Sequence, residues 1–261
     1  MKKLLLFVML FSVAVTTNAQ NRSLKQVIEF SMPGDFGSNG ASVVYHPLQK
    51  KYYASMAGNA DFPFSVFDLK GTLLTNEDVT AGFDVRGMWY NSKTKTIQSN
   101  GYNDFGWTNF KLDAKGTPTG NTIFIEGLKQ PTEQSVGVFN DKQQKVYFLK
   151  DISIAEYDLK GNEIKTYPLY PKVAADPEME EEGLPSDYNK TAIYTGIVKG
   201  EIGLLNNTDK TIELYNIATG KPTFKWKLPD GIPDNSLFNF AYSNGIVWLF
   251  DKELRTWFGY K

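Results

Sequence analysis

The sequence predicts an all-β fold of five copies of one strand-rich unit, each a four-stranded antiparallel meander, the last completed by a strand from the beginning of the chain. Three observations carry this expectation. An aspartate followed three residues later by an apolar residue, and six later by an aromatic, recurs five times. The 18 Phe, 14 Tyr and 22 Gly make the mixture expected of short strands joined by tight turns. Helical periodicity is nearly absent, residues 176–182 being the one stretch that reads as a helical turn.

At the amino end, Lys2 and Lys3 precede an unbroken apolar run from Leu4 to Phe11, and Thr17-Asn18-Ala19 offers small residues for cleavage. Residues 1–19 therefore read as a signal peptide and 20–261 as one exported domain, secreted or periplasmic. The apolar run is short for a bilayer core and no second hydrophobic stretch follows Gln20, so no membrane span is expected once the leader is removed. Cysteine is absent, which excludes lipid attachment at the cleavage site, disulfides and thiolate metal sites. No Gly/Ser or Pro-rich spacer divides the remainder. Lys and Arg (28) nearly cancel Asp and Glu (29) with no basic stripe, which argues against a nucleic-acid partner. A monomer is expected.

The copies of the repeat are Asp61-Phe64-Phe67, Asp104-Trp107-Phe110, Asp151-Ile154-Tyr157, Asp209-Ile212-Tyr215 and Asp251-Leu254-Trp257. Leu69, Leu112, Leu159 and Ile217 follow two residues on in the first four, which then close on Gly71, Gly116, Gly161 and Gly220. The aspartates lie 43, 47, 58 and 42 residues apart, against about 40 to 50 for a blade of a β-propeller. A second landmark precedes each aspartate, an aromatic where one strand meets a polar turn: Tyr45, Tyr90, Phe139, Tyr194 and Tyr242. Each unit thus reads as strand, polar turn, strand, Asp turn, strand, Gly turn, strand, which is one four-stranded antiparallel blade. Copy five has no fourth strand before Lys261, and residues 24–30 alternate in strand fashion without a blade of their own. Pairing them beside residues 256–260 would close a five-bladed β-propeller and remove an exposed sheet edge.

The hairpins Phe67-Asp68-Leu69-Lys70-Gly71 and Tyr157-Asp158-Leu159-Lys160-Gly161 resemble those of the large group of propellers whose blades carry an aromatic-Asp-Leu-x-Gly turn. The resemblance spans essentially the whole mature chain. It implies the fold and leaves function open, because this architecture hosts hydrolases, lactonases, lectins and docking scaffolds.

In such a ring, the loops leading into each blade and those between its second and third strands emerge on one face, here termed the upper face, around the central channel. Asp35, Asn39, Asp84, Arg86, Glu133, Gln134, Asn189 and Asn239 lie in those leading loops and would converge on a pocket able to hydrogen-bond a sugar, a carboxylate or a metal. Against this stands the preference of turns for Asp, Asn and Gly. Tyr102 offers a stacking platform, while Trp107 aligns with Phe64, Ile154, Ile212 and Leu254 and counts as packing.

A ring of five carboxylates could bind calcium, but an Asp opening a turn accepts backbone N–H groups two residues on, and that role is the one expected for these aspartates. No cofactor is expected, with calcium the metal to consider, and no metal site is assigned. The acidic segment 176–182 is expected as a solvated loop, with a lid, a calcium-responsive loop or a docking surface as alternatives. His46, the single histidine, sits in a turn on the lower face beside Pro47, so Ser-His-Asp triads and zinc sites are poorly supported. Carboxylate pairs drawn from Asp35, Asp84, Glu133 or Asp187 remain open for hydrolysis, and nothing in their spacing selects one. The leading expectation is an exported binding propeller that recognises a glycan, peptide or partner protein on the upper face. The alternative is a carboxylate-dependent hydrolase or lactonase, calcium-assisted or not, acting at the channel mouth.

Overall fold

The computed structural model describes residues 21–34, 38–170, 184–233 and 237–261. The expected signal peptide, Asp35 and the acidic segment 176–182 lie outside the described residues.

Two strands, β1 (Arg22–Ser23) and β2 (Gln26–Ser31), precede the blades. Blade one holds β3 (Asn39–His46), β4 (Lys51–Ala57) and β5 (Ser65–Phe67). Blade two holds β6 (Val85–Asn91), β7 (Thr96–Gly101), β8 (Trp107–Leu112) and β9 (Pro118–Ile125). Blade three holds β10 (Val138–Asn140), β11 (Lys145–Lys150), β12 (Ser153–Tyr157) and β13 (Glu163–Pro168). Blade four holds β14 (Tyr188–Tyr194), β15 (Ile202–Asn206), β16 (Thr211–Asn216) and β17 (Lys221–Lys227). Blade five holds β18 (Phe240–Ser243), β19 (Ile246–Asp251) and β20 (Thr256–Tyr260). Consecutive strands pair antiparallel within each blade. The first strands touch in a closed cycle, β3 to β6, β10, β14, β18 and back to β3. The chain is a five-bladed β-propeller.

Alternation along the strands explains how the ring holds without disulfides. In β19, Val247 and Leu249 enter the cluster shared with blade four, and Trp248 and Phe250 enter the one shared with blade one. Five such clusters fill the five gaps between blades. The seam between the first and last blades is closed as the sequence predicts. β2 runs antiparallel beside β20, with Gln26 opposite Tyr260 and Phe30 opposite Trp257. Phe30 is fully buried and its ring lies 4.5 Å from Phe67 of blade one and 4.5 Å from Trp248 of blade five. One side chain thus joins both ends of the ring.

Four details depart from the expected pattern. Blade one has three regular strands, and its fourth position is held by a bridge of Phe67 to Leu73 and a bond from the Leu74 N–H to the Val66 carbonyl. Leu73 and Leu74 are exposed there, so burial adds little to draw them into a full strand. Blade four gains an unforeseen strand: β1 pairs in parallel with the outer edge of β17, and the Arg22 guanidinium lies 4.3 Å from the centre of the Trp226 ring.

The fifth repeat is shifted. Trp257 is buried and pairs across from Phe250, as Ile212 pairs with Leu205 and Ile154 with Leu149, whereas Leu254 is 65% exposed in the turn. Finally, the turn role expected of the repeated aspartates is filled by Asp251 alone, which accepts the N–H groups of Glu253 and Leu254. It belongs instead to the turns between third and fourth strands. Asp68 accepts the N–H groups of Lys70 and Thr72 at 2.8 and 2.9 Å, and Asp113 and Asp158 do likewise in their blades. Backbone bonds from Thr72 and Lys70 hold the Asp68 carboxyl below its ordinary range. The left-handed Gly71 and Gly161 (φ +87° and +78°) complete these turns, which accounts for the aromatic-Asp-Leu-x-Gly pattern.

Candidate functional site

The channel has two ends built from the same five first strands. At the upper end, Arg86 follows Val85 at the start of β6 and is 3% exposed. Its guanidinium makes a two-pronged pair with Asp84, Nη1 to Oδ1 at 2.5 Å and Nη2 to Oδ2 at 3.1 Å. Nε–H donates 3.1 Å to Gln134 Oε1 in the loop leading into blade three, and Nη1 also donates to the Val85 carbonyl. The cation lies 4.7 Å from the centre of the Tyr102 ring and 5.1 Å from that of Phe238, which leads into blade five. One side chain therefore spans blades two, three and five and lies across the channel mouth. Asp84 reaches the other way, its Oδ1 accepting the Gly58 N–H of blade one at 2.7 Å.

The remaining polar groups at this end bind one another. Asn239 is buried, accepts the Gly40 N–H, and donates to Asn39 Oδ1 at 3.1 Å and to the Leu237 carbonyl at 2.7 Å. Asn189 donates to the Phe238 carbonyl at 2.8 Å and accepts the amide and hydroxyl of Thr191. Asp187 accepts Asn206 Nδ2 at 2.7 Å. Asn100, which sequence reasoning passed over, is fully buried: it accepts the Gly87 and Gly137 N–H groups and donates to Gln130 and to the Ser135 carbonyl. Such pairing is what burial of polar groups demands.

The structure thus brings Asp84, Arg86, Tyr102 and Gln134 into one cluster and Asn39 and Asn239 into another, with Asn189 reaching the backbone beside Phe238. Glu133 contributes its carbonyl to the Asn103 N–H, and its residue remains exposed. Phe238 was not anticipated; nothing in the repeat marks it.

The lower end is different. A cavity of about 260 Å³ occupies the channel and opens between Tyr45, Tyr90, Phe139, Tyr194 and Tyr242. These are the five aromatics that end the first strands, so the signal was present in the sequence as a repeat landmark. Each stands at the lower rim of one gap between blades, partly buried against its cluster. Each leans on another ring: Tyr45 on Tyr52 at 5.0 Å, Tyr90 on His46 at 4.6 Å, Phe139 on Trp89 at 5.9 Å, Tyr194 on Tyr147 at 5.5 Å and Tyr242 on Trp226 at 6.3 Å. His46 Nδ1 accepts the Gln49 N–H, as its turn position implied, and burial pushes the imidazole below its ordinary range.

Among the described residues, the carboxyl groups whose titration the fold displaces, Asp68, Asp113, Asp158, Glu163 and Glu213, all move downward. Glu213 illustrates why. Burial pushes it up, but the hydroxyls of Tyr215 and Tyr188 at 2.7 and 2.8 Å and the Lys225 ammonium at 3.2 Å outweigh that and hold it ionised. Among the described residues no group of three or more His, Asp or Glu side chains is placed to hold a metal ion. Nor is any helix among them long and apolar enough to cross a membrane.

No family model matches the chain, and no curated protein matches its sequence. Solved structures do. A glutaminyl cyclase from Myxococcus xanthus superposes with a TM-score of 0.54 at 9% identity, covering 93% of this chain and 97% of that one. A virginiamycin B lyase from Staphylococcus aureus gives 0.41 at 14% identity over 88% and 68%. An auxiliary nutrient binding protein from Bacteroides thetaiotaomicron gives 0.47 at 12% identity over 88% and 60%. At these identities the likeness is one of fold alone.

Proposed function

We propose that this chain is an exported, non-catalytic binding propeller whose partner, a glycan, peptide or protein, docks on the upper face around Tyr102, Phe238 and Glu133. The observation that carries the reading is the condition of the mouth. Asp84 is spent on Arg86, Asp187 on Asn206, and the cation is covered by two rings, so among the described residues of the mouth these carboxylates are not left as an acid and base facing a common space as hydrolysis requires. The described residues present there two half-buried aromatics, Tyr102 and Phe238, beside the exposed Glu133. Aromatic anchors on a rigid frame are what recognition surfaces use.

The test is a glycan and peptide array probed with the chain and with Tyr102→Ala. Captured ligands should lose about tenfold or more in affinity in the variant, as expected for an interface anchor. A parallel panel of chromogenic glycosides and lactones should show no turnover. Turnover abolished by Asp84→Asn or Glu133→Gln would overturn the reading in favour of a carboxylate-dependent hydrolase.

A further inference from the structure

The lower cavity lies at the other end of the channel from the face discussed above and has its own chemistry. Six buried or half-buried tyrosines elsewhere in the propeller spend their hydroxyls inside the protein. Tyr53 donates to the Gly116 carbonyl, Tyr147 to Gln143, Tyr157 to Glu163, Tyr167 to Glu156, and Tyr188 and Tyr215 to Glu213. The four collar tyrosines do not. Among the described residues, the hydroxyls of Tyr45, Tyr90, Tyr194 and Tyr242 have no hydrogen-bond partner, although all four line one cavity. Four phenols converging on a common space with their donors and acceptors unspent form a hydrogen-bonding ring set in aromatic walls.

Among the described residues the cavity wall holds no charged side chain; its other polar members there are Ser42, Ser243 and Asn244, alongside apolar Val44, Met88, Val136 and Val138. Burial favours the neutral form of three of these phenols: Tyr194 is pushed up to about 12, and Tyr90 and Tyr242 are raised as well, Tyr242 against the opposing pull of Arg22. A charged ligand would lose its hydration with no counter-ion to meet it. A wholly apolar ligand would strand the hydroxyls it covers. The space, about 260 Å³, corresponds to roughly nine waters' share of liquid volume and falls just below the usual range for drug-sized ligands.

From this geometry we infer that the aromatic collar at the lower end of the channel is a binding site for a single neutral pyranose, either free or at the end of a glycan. The C–H faces of the sugar stack on the rings of the collar. Its hydroxyls exchange hydrogen bonds with the phenols and with the Ser42 and Ser243 hydroxyls at the wall. The Arg86 cluster closes the channel above, so the ligand enters and leaves from below.

Saturation-transfer NMR and calorimetry with the methyl glycosides of glucose, galactose, mannose and N-acetylglucosamine test the site, with choline as the cationic control. At least one glycoside should bind in the range of about 1 mM, near −4 kcal/mol. The double variant Tyr90→Phe, Tyr194→Phe should weaken that binding roughly tenfold or more while leaving the melting temperature unchanged, because the hydroxyls it removes bond nothing in the protein. Tyr102→Ala on the upper face should leave sugar binding unaltered. Three results would overturn the inference: no glycoside bound by the folded chain at about 20 mM, sugar binding lost in Tyr102→Ala but kept in the double variant, or choline bound in preference to every glycoside. Because the collar and the upper face are probed by different variants, failure of one leaves the other standing.

Discussion

The upper and lower ends of the channel share five strands and one axis, yet they treat polar groups in opposite ways. Above, long leading loops crowd amides, a guanidinium and carboxylates together, and each is satisfied by its neighbour: Arg86 by Asp84 and Gln134, Asn239 by Asn39 and Gly40, Asn100 by two glycine N–H groups. Below, tight turns leave one ring per blade gap, and four phenol groups remain unspent around an open space. A polar residue in a loop is therefore a poor guide to a ligand. Density of polar groups favours mutual pairing, whereas sparse polar groups on rigid aromatic supports stay available.

The contrast can be broken most severely by opening the ring that holds both ends together. Phe30→Ala removes the ring stacked between Phe67 and Trp248 and should cost about 3 to 5 kcal/mol in chemical denaturation, the usual loss for a buried Phe. A loss below about 1 kcal/mol would mean the seam closes without it. Next in size is the upper end by itself. Arg86→Ala leaves the Asp84 carboxylate without its cation and should destabilise by about 3 kcal/mol or more, with part of the loss recovered in the Asp84→Ala, Arg86→Ala double variant. Urea titration of the four proteins in the cycle checks this, and simple additivity would dissolve the picture of a coupled plug.

The smallest effect sharpens the lower end. Tyr194 titrates near 12 in the folded chain against an ordinary 10.0. A raised folded value means the neutral phenol is favoured by folding, so that contribution is whole below pH 10 and declines as the pH climbs through about 12. Ultraviolet titration of Tyr194→Phe should lack one of the late-ionising phenols, and its stability should fall less steeply over that alkaline window. Identical curves for variant and parent would show the collar phenols to be exposed.

The architecture was largely legible in the sequence because the units repeat, and repetition exposes the spacing of strands and turns. Five blades, the closing strand 24–30 and the placement of Trp107 as packing all follow from that spacing. The details that escaped are those where one copy deviates. The turn before β20 has four residues against two before β12, so counting three from Asp251 lands on exposed Leu254 instead of buried Trp257. The parallel pairing of β1 escaped because two residues carry no periodicity.

At the site, the leading loops were located correctly in the chain, and Asp84, Arg86, Tyr102 and Gln134 do meet. That Arg86 would turn across the channel onto Phe238 depends on a contact between residues about 150 positions apart, which no local pattern encodes. The collar was visible as five recurring aromatics, but its meaning lies in their convergence, which only the ring supplies.

The pairing of β2 with β20 leaves the two ends of the described chain side by side, Lys25 and Lys261 exchanging backbone bonds at 3.0 and 2.9 Å. The circle has accordingly no privileged starting point: cut in the turn at Gly161 and joined from 261 to 21 by a linker, it would keep β1, Leu24 and all five gap clusters. In the natural order, the strand that seals the circle is the first of its blade to be synthesised and must wait for the last residues before it can dock. Because closure entropy grows only slowly with loop length, that delay bears on how fast the circle forms far more than on how firmly it holds.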